Sequence, residues 1–280
     1  MSTDLADVAD ALTLDAAPQT ELAAPPALDL DLLVLTTFHK PYHHNPASTW
    51  VRPVTVGRFR MPDTPGVFSD ASGADHISHL NPQFCELTAL YWAWKNLRGV
   101  RHIGLYHYRR YLYLGGGFIP GQRVPVTDIP ASINAMSGPE AGARALDWLQ
   151  HADAIVPSAF RLGGSITQEY TLHHDAEHWR VFNEVLFELN PQYRRFAGYF
   201  AQSNKFTYCN MFIVSWARFE HYCATMFPVL FEVQRRCPVP SDPYQARYIG
   251  FLAERFLMFY LYAEGLRTME TPIVGMEPGA

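Results

Sequence analysis

Lysine is scarce in this sequence of 280 residues. It occurs only at Lys40, Lys95 and Lys205, so arginine supplies most of the 22 basic side chains, which face 27 acidic ones. The formal net charge of −5 does not suggest the basic face that a duplex-binding protein needs, and we expect no nucleic-acid partner. Arginine suits phosphate recognition, because a guanidinium group binds oxyanions through two parallel hydrogen bonds.

Cysteine and long apolar runs are also scarce. The cysteines include no Cys-x-x-Cys pair, and their apolar surroundings predict buried free thiols in a reducing cytosol. No apolar run is long enough to span a bilayer. The acidic, alanine-rich start of the chain does not have the pattern of a secretory signal. We therefore expect a cytoplasmic protein, with a disordered leader at 1–29 and a single domain at 30–280.

Strands and helices alternate along the rest of the chain. The apolar patterns predict strands at 30–37, 102–106, 154–156, 206–215 and 271–274. They predict helices at 81–98, 140–150, 175–189, 216–235 and 244–266, whereas 41–75 and 114–139 have the composition of loops. This alternation indicates an α/β domain with a mostly parallel sheet, flanked by helices and followed by a helical C-terminal part.

Basic side chains follow two of the predicted strands. His107, Arg109 and Arg110 come at the end of the strand at 102–106, and His39 and Lys40 follow the strand at 30–37. Ligands of open α/β sheets bind at the carboxyl edge of the strands. Two adjacent arginines suit a diphosphate, although one of them could instead form a structural ion pair. Arg58, in the next loop, is a weaker candidate for the same role.

Other polar residues could hold sugar hydroxyls or act as a catalytic base. The candidates for hydroxyl contacts are Asp75, Ser78, Asn81, Glu86, His173, Asn210, Arg247 and Arg255. The candidate catalytic residues are Glu254, Asp153 and His107. Glu254 and Asp153 are the candidate bases, because an aromatic and aliphatic surround raises the pKa of a carboxyl such as Glu254. Glu86 and Glu254 could equally have structural roles. Glu86 would then interact with the positive end of a helix dipole, and Glu254 would form a salt bridge.

One pattern resembles a metal site. His174, Glu177 and His178 fit the H-x-x-E-H form of some zinc peptidases, which leaves a zinc hydrolase as a remote alternative. The Asp-x-Asp pair Asp29-Leu30-Asp31 precedes the first strand, whereas the metal-binding pair of sugar transferases follows a later one. The sequence contains no Gly-x-Gly-x-x-Gly fingerprint, P-loop or Gly-x-Ser-x-Gly elbow.

Several of these strings together resemble a known family. They are Phe38-His39-Lys40, Asp75-x-Ile77-Ser78-x-x-Asn81, Cys85-Glu86-Leu87-Thr88-Ala89, His107-Tyr108-Arg109-Arg110-Tyr111, Asn210-Met211-Phe212 and Arg247-x-x-Gly250-Phe251-x-x-Glu254-Arg255. In this order they resemble a domain family of formerly unknown function that occurs in capsular polysaccharide and exopolysaccharide biosynthesis proteins. The resemblance covers about residues 31–275.

The resemblance implies a glycosyltransferase with a GT-A-like, Rossmann-type fold. Some relatives are thought to transfer galactofuranose from a UDP donor to a polysaccharide or lipid-linked glycan. His107-Tyr108-Arg109-Arg110 stands roughly where the metal-binding Asp-x-Asp pair would be, so arginines would neutralise the diphosphate, with manganese or magnesium left open as cofactors. Peripheral contact with membrane-bound synthesis machinery at the inner face of the membrane is left open. A non-catalytic carbohydrate-binding or assembly protein on the same fold is the main alternative.

Overall fold

The computed structural model describes residues 27–42, 44–46, 48–59, 61, 66–115 and 126–276. The leader expected at 1–29 lies outside the described residues, apart from 27–29. No helix in the described ranges is both long enough and apolar enough to cross a membrane.

A mixed sheet occupies the centre of the molecule. The described strands are β1 (Leu30–Phe38), β2 (Val51–Thr55), β3 (Phe68–Ser69), β4 (Val100–His107), β5 (Arg110–Leu112), β6 (Ala154–Pro157), β7 (Phe160–Arg161), β8 (Lys205–Phe206), β9 (Phe212–Ser215), β10 (Thr268–Thr271) and β11 (Ile273–Gly275). The main sheet has the order β10-β6-β9-β4-β1-β2-β3, and β5 pairs with β4 and β11 beside it. The strands β7 and β8 form a separate antiparallel pair.

Most of the main sheet is parallel, as the sequence predicts. The strands β1 to β4 run in one direction, and β6 and β10 are parallel to each other. The strand β9 is antiparallel to both of its neighbours, β4 and β6. Consequently the chain segment that precedes β9 lies at the same edge of the sheet as the carboxyl ends of β1 and β4.

Helices cover both faces of the sheet. They are α1 (Asn81–Phe84), α2 (Leu87–Asn96), α3 (Ile129–Ser137), α4 (Pro139–Trp148), α5 (Ile166–His173), α6 (Ala176–Leu189), α7 (Tyr199–Gln202), α8 (Trp216–Arg236) and α9 (Tyr248–Ala263), with short 3-10 helices at Ser78–Leu80, Pro191–Phe196 and Gln245–Arg247. Leu33 and Leu35 of β1 join the larger core, which includes residues of α2, α6, α8 and α9. Leu32 and Val34 join a smaller core with α3 and α4. Burial on both faces explains the continuous apolar run of β1.

Two predicted elements are interrupted in the structure. The helix expected at 81–98 is broken between α1 and α2, where Cys85 has φ 51° and ψ −132°. The strand expected at 206–215 is also wrong, because Cys209 and Asn210 have φ values of 82° and 44°, which extended backbone does not adopt. Asn210 therefore lies in a turn between β8 and β9, and not within a strand.

Three segments with no predicted helix or strand contain regular structure. The stretch 41–75 contributes β2 and β3 to the sheet, and 114–139 contains α3. The segment before the helix expected at 175–189, for which no element is predicted, contains α5, and His173 ends that helix. That helix begins with a capping box in which Ser165 and Gln168 bond each other's backbone N–H groups, a local signal that the sequence analysis did not use.

Candidate active site

A cluster of polar groups lies at the carboxyl edge of β1 and β4. His107 is the last residue of β4, and His39 directly follows β1. The strand β9 is antiparallel to β4, and its first residue, Phe212, pairs with Leu105. The preceding residues Cys209 and Asn210 therefore lie at this same edge. The break between α1 and α2 supplies Glu86, and α9 supplies Glu254.

The turn formed by Cys209 and Asn210 connects three candidate residues. The backbone N–H of Cys209 donates to Oε1 of Glu254 at 2.7 Å, and its carbonyl oxygen lies 2.7 Å from Nε2 of His107. The amide of Asn210 donates to Oε1 of Glu86 at 2.8 Å. Two successive non-glycine residues with positive φ are costly, and such strain persists where the surrounding structure fixes it, often at active sites.

Glu254 has the properties of a proton acceptor. Its side chain is 15% exposed, so a bound molecule can reach it, yet burial raises its pKa to about 7. Arg255 and the N–H of Cys209 lower the pKa of Glu254, whereas the nearby Glu86 raises it further. Near neutral pH this carboxyl is therefore divided between its protonated and ionised forms, as a general base requires.

Arg255 is buried behind Glu254 and is not at the surface of the cluster. Its side chain is 2% exposed, and it donates to Oε2 of Glu254 at 3.1 Å and to Oε2 of Glu169 at 2.7 Å. Its guanidinium carbon lies 4.5 Å from the ring centroid of Phe206. A sugar cannot reach a side chain so deeply buried, so this position does not suit the sugar contact expected of Arg255. It holds Glu254 in place instead, with Glu169, which the sequence analysis did not single out.

Cationic groups gather on the other side of the cluster. Burial and the nearby Lys40, Arg247 and Arg109 lower the pKa of His39 to about 4. The Nε of Arg247 lies 3.3 Å from Sγ of Cys85, and the exposed Arg110 lies beside the thiol of Cys209. These side chains form a surface that suits an anion with several charged oxygens. We call Lys40, Arg109, Arg110 and Arg247, together with His39, the basic cluster; His39 itself is uncharged near neutral pH because of its lowered pKa.

Gly250 of α9 lies close to Cys85, at the break between α1 and α2. A Cβ atom added at Gly250 would lie 3.2 Å from Sγ of Cys85, which is tighter than an ordinary contact. The carbonyl of Gly250 also accepts a hydrogen bond of 3.4 Å from Asn210. A side chain at this position would push apart the elements that carry Glu86, Arg247 and Glu254.

A family model matches residues 33–265, which is most of the chain. The chain belongs to the family DUF4422, a domain of unknown function. A solved structure described as the apo form of the bifunctional glycosyltransferase WbbM has the same fold, with a TM-score of 0.77 and 22% sequence identity. The match covers 89% of this chain but only 46% of that one, so the chain spans less than half the length of its structural relative. No curated protein sequence matches significantly.

Some predicted site residues of this DUF4422 domain belong to a buried network nearby. Asp70 is fully buried and accepts hydrogen bonds from Ser78 (2.5 Å), Thr88 (2.6 Å) and the N–H of Gly57 (3.1 Å). Asn81 donates to the carbonyl of Cys85 at 2.8 Å. Ser78 and Asn81 thus brace the loop after β2 against the start of α2, and Asp70 is the centre that the sequence analysis missed.

The remaining candidates have other neighbours. Asp75 accepts a hydrogen bond from Tyr91, and Arg58 is exposed in the loop after β2. His173 is exposed at the end of α5. Asp153 bonds the backbone and the side chain of Arg267, which lowers the pKa of that carboxyl.

Asp153 also lies at the opposite edge of the sheet from His107. Ala154 and Ile103 share the same partner in β9, so Asp153 is level with His102. That position is five residues before His107, or roughly 17 Å at ~3.3 Å per residue. Asp153 is therefore too far from the basic cluster to act with it as a base.

The zinc-like motif does not form a ligand set. Nδ1 of His174 lies 3.0 Å from the side-chain oxygen of Gln245, and Nε2 of His178 lies 3.2 Å from the carbonyl of Pro238. Glu177 pairs with Arg180 at the surface. Within the described ranges, no three His, Cys, Asp or Glu side chains are grouped as metal ligands. The zinc hydrolase alternative therefore has no support in this part of the chain.

Proposed function

We propose that this chain is a glycosyltransferase that moves a sugar from a nucleotide-sugar donor to a glycan acceptor. The observation that carries the proposal is the convergence of Glu254, whose pKa is raised to about 7, with the basic cluster at one edge of the sheet. The fold shared with a structure described as a glycosyltransferase supports the same reading. A carbohydrate-binding protein without catalysis would not need a carboxyl poised to take up a proton.

The basic cluster is proposed to hold the donor diphosphate. Arg109, Arg110 and Arg247 offer paired N–H donors to its oxygens, with Lys40 as a further cation. The two nearest carboxylates, Glu86 and Glu254, already accept hydrogen bonds from Asn210 and Cys209 and face several cations. This donor set fits a diphosphate better than a manganese or magnesium ion. Arginine charge would then stabilise the leaving nucleotide as its negative charge grows.

Glu254 is proposed to accept the proton of the acceptor hydroxyl. The acceptor oxygen bonds the anomeric carbon of the donor as the bond between that carbon and the diphosphate oxygen breaks. The electron pair leaves with the nucleoside diphosphate, and the proton stays on Glu254. A base in position contributes about 10²–10⁴-fold to such a step. Arg255 and the N–H of Cys209 hold the two carboxylate oxygens in place for it.

The sequence resemblance supplies the finer part of the proposal. The donor would be a UDP-sugar, with galactofuranose as the transferred sugar. The acceptor would be a polysaccharide or lipid-linked glycan in capsule, exopolysaccharide or O-antigen synthesis. The protein would then act in the cytoplasm, in peripheral contact with machinery at the inner face of the membrane.

A thermal-shift panel tests the donor site. The purified protein is heated with UDP, GDP, CMP, dTDP and several UDP-sugars, each with and without manganese. A ligand that binds only the folded state, present at about 100 times its Kd, adds about 2.7 kcal/mol of stability. We expect a selective shift with uridine nucleotides that is lost in Arg109→Ala. The control is Arg101→Ala, because Arg101 lies near the start of β4 and pairs with Asp31 at the surface.

Two results would contradict the proposal. One is the absence of a shift with every nucleotide, which would favour a glycan-binding or assembly role. The other is an Arg109→Ala variant that keeps full nucleotide affinity and turnover. A shift that appears only with manganese would reject the metal-independent form of the proposal and leave the transferase class intact.

A further inference from the structure

Two large aromatic side chains are exposed next to the candidate base. Phe160 of β7 is 38% exposed and Tyr208 is 47% exposed. Their ring centroids lie 4.9 Å apart with the planes inclined by 31°. The buried ring of Phe206 supports both, at 5.9 Å from Phe160 and 5.1 Å from Tyr208. The pair, which we call the aromatic platform, is therefore held in place from below while its outer surface faces solvent.

The chain connects this platform directly to Glu254. Tyr208 precedes Cys209, whose N–H donates to the Glu254 carboxylate at 2.7 Å. Partial burial raises the pKa of Tyr208, and the carboxylates of Glu169 and Glu254 contribute to the rise. A molecule that rests on the Tyr208 ring is thus next to the turn that holds the carboxylate proposed to take its proton.

Polar groups flank the platform on its other side. The N–H of Ala159, next to Phe160, donates to Oε2 of Glu270 at 3.0 Å. Glu270 also pairs with Lys205, and their side chains are 31% and 52% exposed. Apolar rings bordered by a few polar groups are the usual composition of a small-molecule site. A sugar ring has the matching chemistry, with C–H groups on its faces and hydroxyls around its edge.

We propose that Phe160 and Tyr208 form the acceptor subsite, on which a sugar ring of the acceptor glycan stacks with one hydroxyl directed at Glu254. This inference depends on the proposed function, since it takes Glu254 as the base. The C–H face of the sugar packs against the rings, and Glu270 and Lys205 bond hydroxyls at the far side. The basic cluster remains for the donor, so the two substrates meet at Glu254 from different directions.

Saturation-transfer NMR tests the subsite with the methyl glycosides of galactose, glucose and rhamnose. In the wild type we expect saturation to reach the ring protons of at least one glycoside. Phe160→Ala and Tyr208→Ala should reduce that signal at least about fivefold, whereas Tyr208→Phe, which keeps a ring, should retain it. Leu189→Ala is the control. Leu189 is an apolar side chain that is 44% exposed, but it ends α6 and not the strands that carry the platform.

The UDP thermal shift, measured on the same variants, separates this inference from the proposed function. Loss of the glycoside signal with an unchanged UDP shift supports an acceptor subsite. Loss of the UDP shift in Tyr208→Ala would overturn it, because the ring would then stack on the nucleobase of the donor. A glycoside signal that survives both alanine variants, or that is absent in the wild type, would also overturn the subsite. Neither of these glycoside results affects the UDP measurement on which the donor site depends.

Discussion

The backbone N–H of Cys209 donates a hydrogen bond of 2.7 Å to Oε1 of Glu254. The other carboxylate oxygen of Glu254 accepts from Arg255, so both oxygens are oriented by fixed donors. One of these donors is main chain, and its direction depends on the positive φ of Cys209 and Asn210. The conformation of one turn therefore positions Glu254, the proposed proton acceptor, while the same turn holds His107 and Glu86.

Replacing Glu254 with glutamine should abolish proton transfer without removing the hydrogen bond to Cys209. We expect turnover to fall by about 10²–10⁴-fold, while affinity for the nucleotide changes little. In the wild type kcat/KM should rise with pH through about 7 and then level off, since only the ionised carboxylate accepts a proton. Steady-state kinetics between pH 5 and 9 measure both effects. A Glu254→Gln enzyme with near-normal turnover would refute the assignment.

The same substitution should change how stability depends on pH. The folded-state pKa of Glu254 lies near 7, above the ordinary value of 4.5, so between these values the folded protein binds more protons than the unfolded chain. The stabilisation from this group is complete below pH 4.5 and is lost as pH rises through 7. It amounts to about 3 kcal/mol, at ~1.4 kcal/mol per pKa unit.

Urea unfolding at several pH values between 4.5 and 8 checks this expectation. The free energy of unfolding should fall more steeply with rising pH in the wild type than in Glu254→Gln. His39 titrates in the same way in both proteins, so the difference between them isolates Glu254. Parallel curves would show that the carboxyl is not perturbed.

Replacing Glu169 with glutamine should shift the pH–rate profile to lower pH. Glu169 and Glu254 share the buried guanidinium of Arg255. When the charge of Glu169 is removed, Arg255 stabilises the Glu254 carboxylate more strongly, and the pKa of Glu254 falls. The acid limb of kcat/KM should move with it. Glu177→Gln, at an exposed pair with Arg180, is the control and should leave the midpoint in place. A purely structural role for Glu169 would lower stability but leave that midpoint unchanged.

The network around Asp70 should matter for folding and not for chemistry. Asp70→Ala leaves the N–H of Gly57 without its buried acceptor, at a cost of about 1–3 kcal/mol. Ser78 and Thr88 also lose the carboxylate, although each hydroxyl keeps a backbone carbonyl as a second acceptor. Thermal unfolding should show a large fall in Tm, and Ser78→Ala should show a smaller one. If Ser78 contacts sugar, as the sequence suggests, Ser78→Ala would instead raise the KM for the acceptor at unchanged stability.

Strong local patterns predicted much of the fold. The buried run of β1 and the apolar patterns of α6 and α8 are signals within one segment, and these elements were found close to their predicted bounds. The break at Cys85 and the turn at Cys209 were missed, because both residues adopt positive φ without being glycine. Tertiary contacts hold them in that conformation, and no nearby residue reveals it.

The sequence by itself determined the alternation of strands and helices, the family and the basic residues that end β1 and β4. Those features follow from local periodicity and from short strings of residues. Only the tertiary structure decided which carboxylates meet the basic cluster. It placed Glu254 and Glu86 there and Asp153 at the opposite edge, because the direction of each strand fixes the edge at which its flanking residues lie. It also added Glu169, whose partner Arg255 lies on α9, and the pair of Phe160 and Tyr208, which meet where β7 pairs with β8.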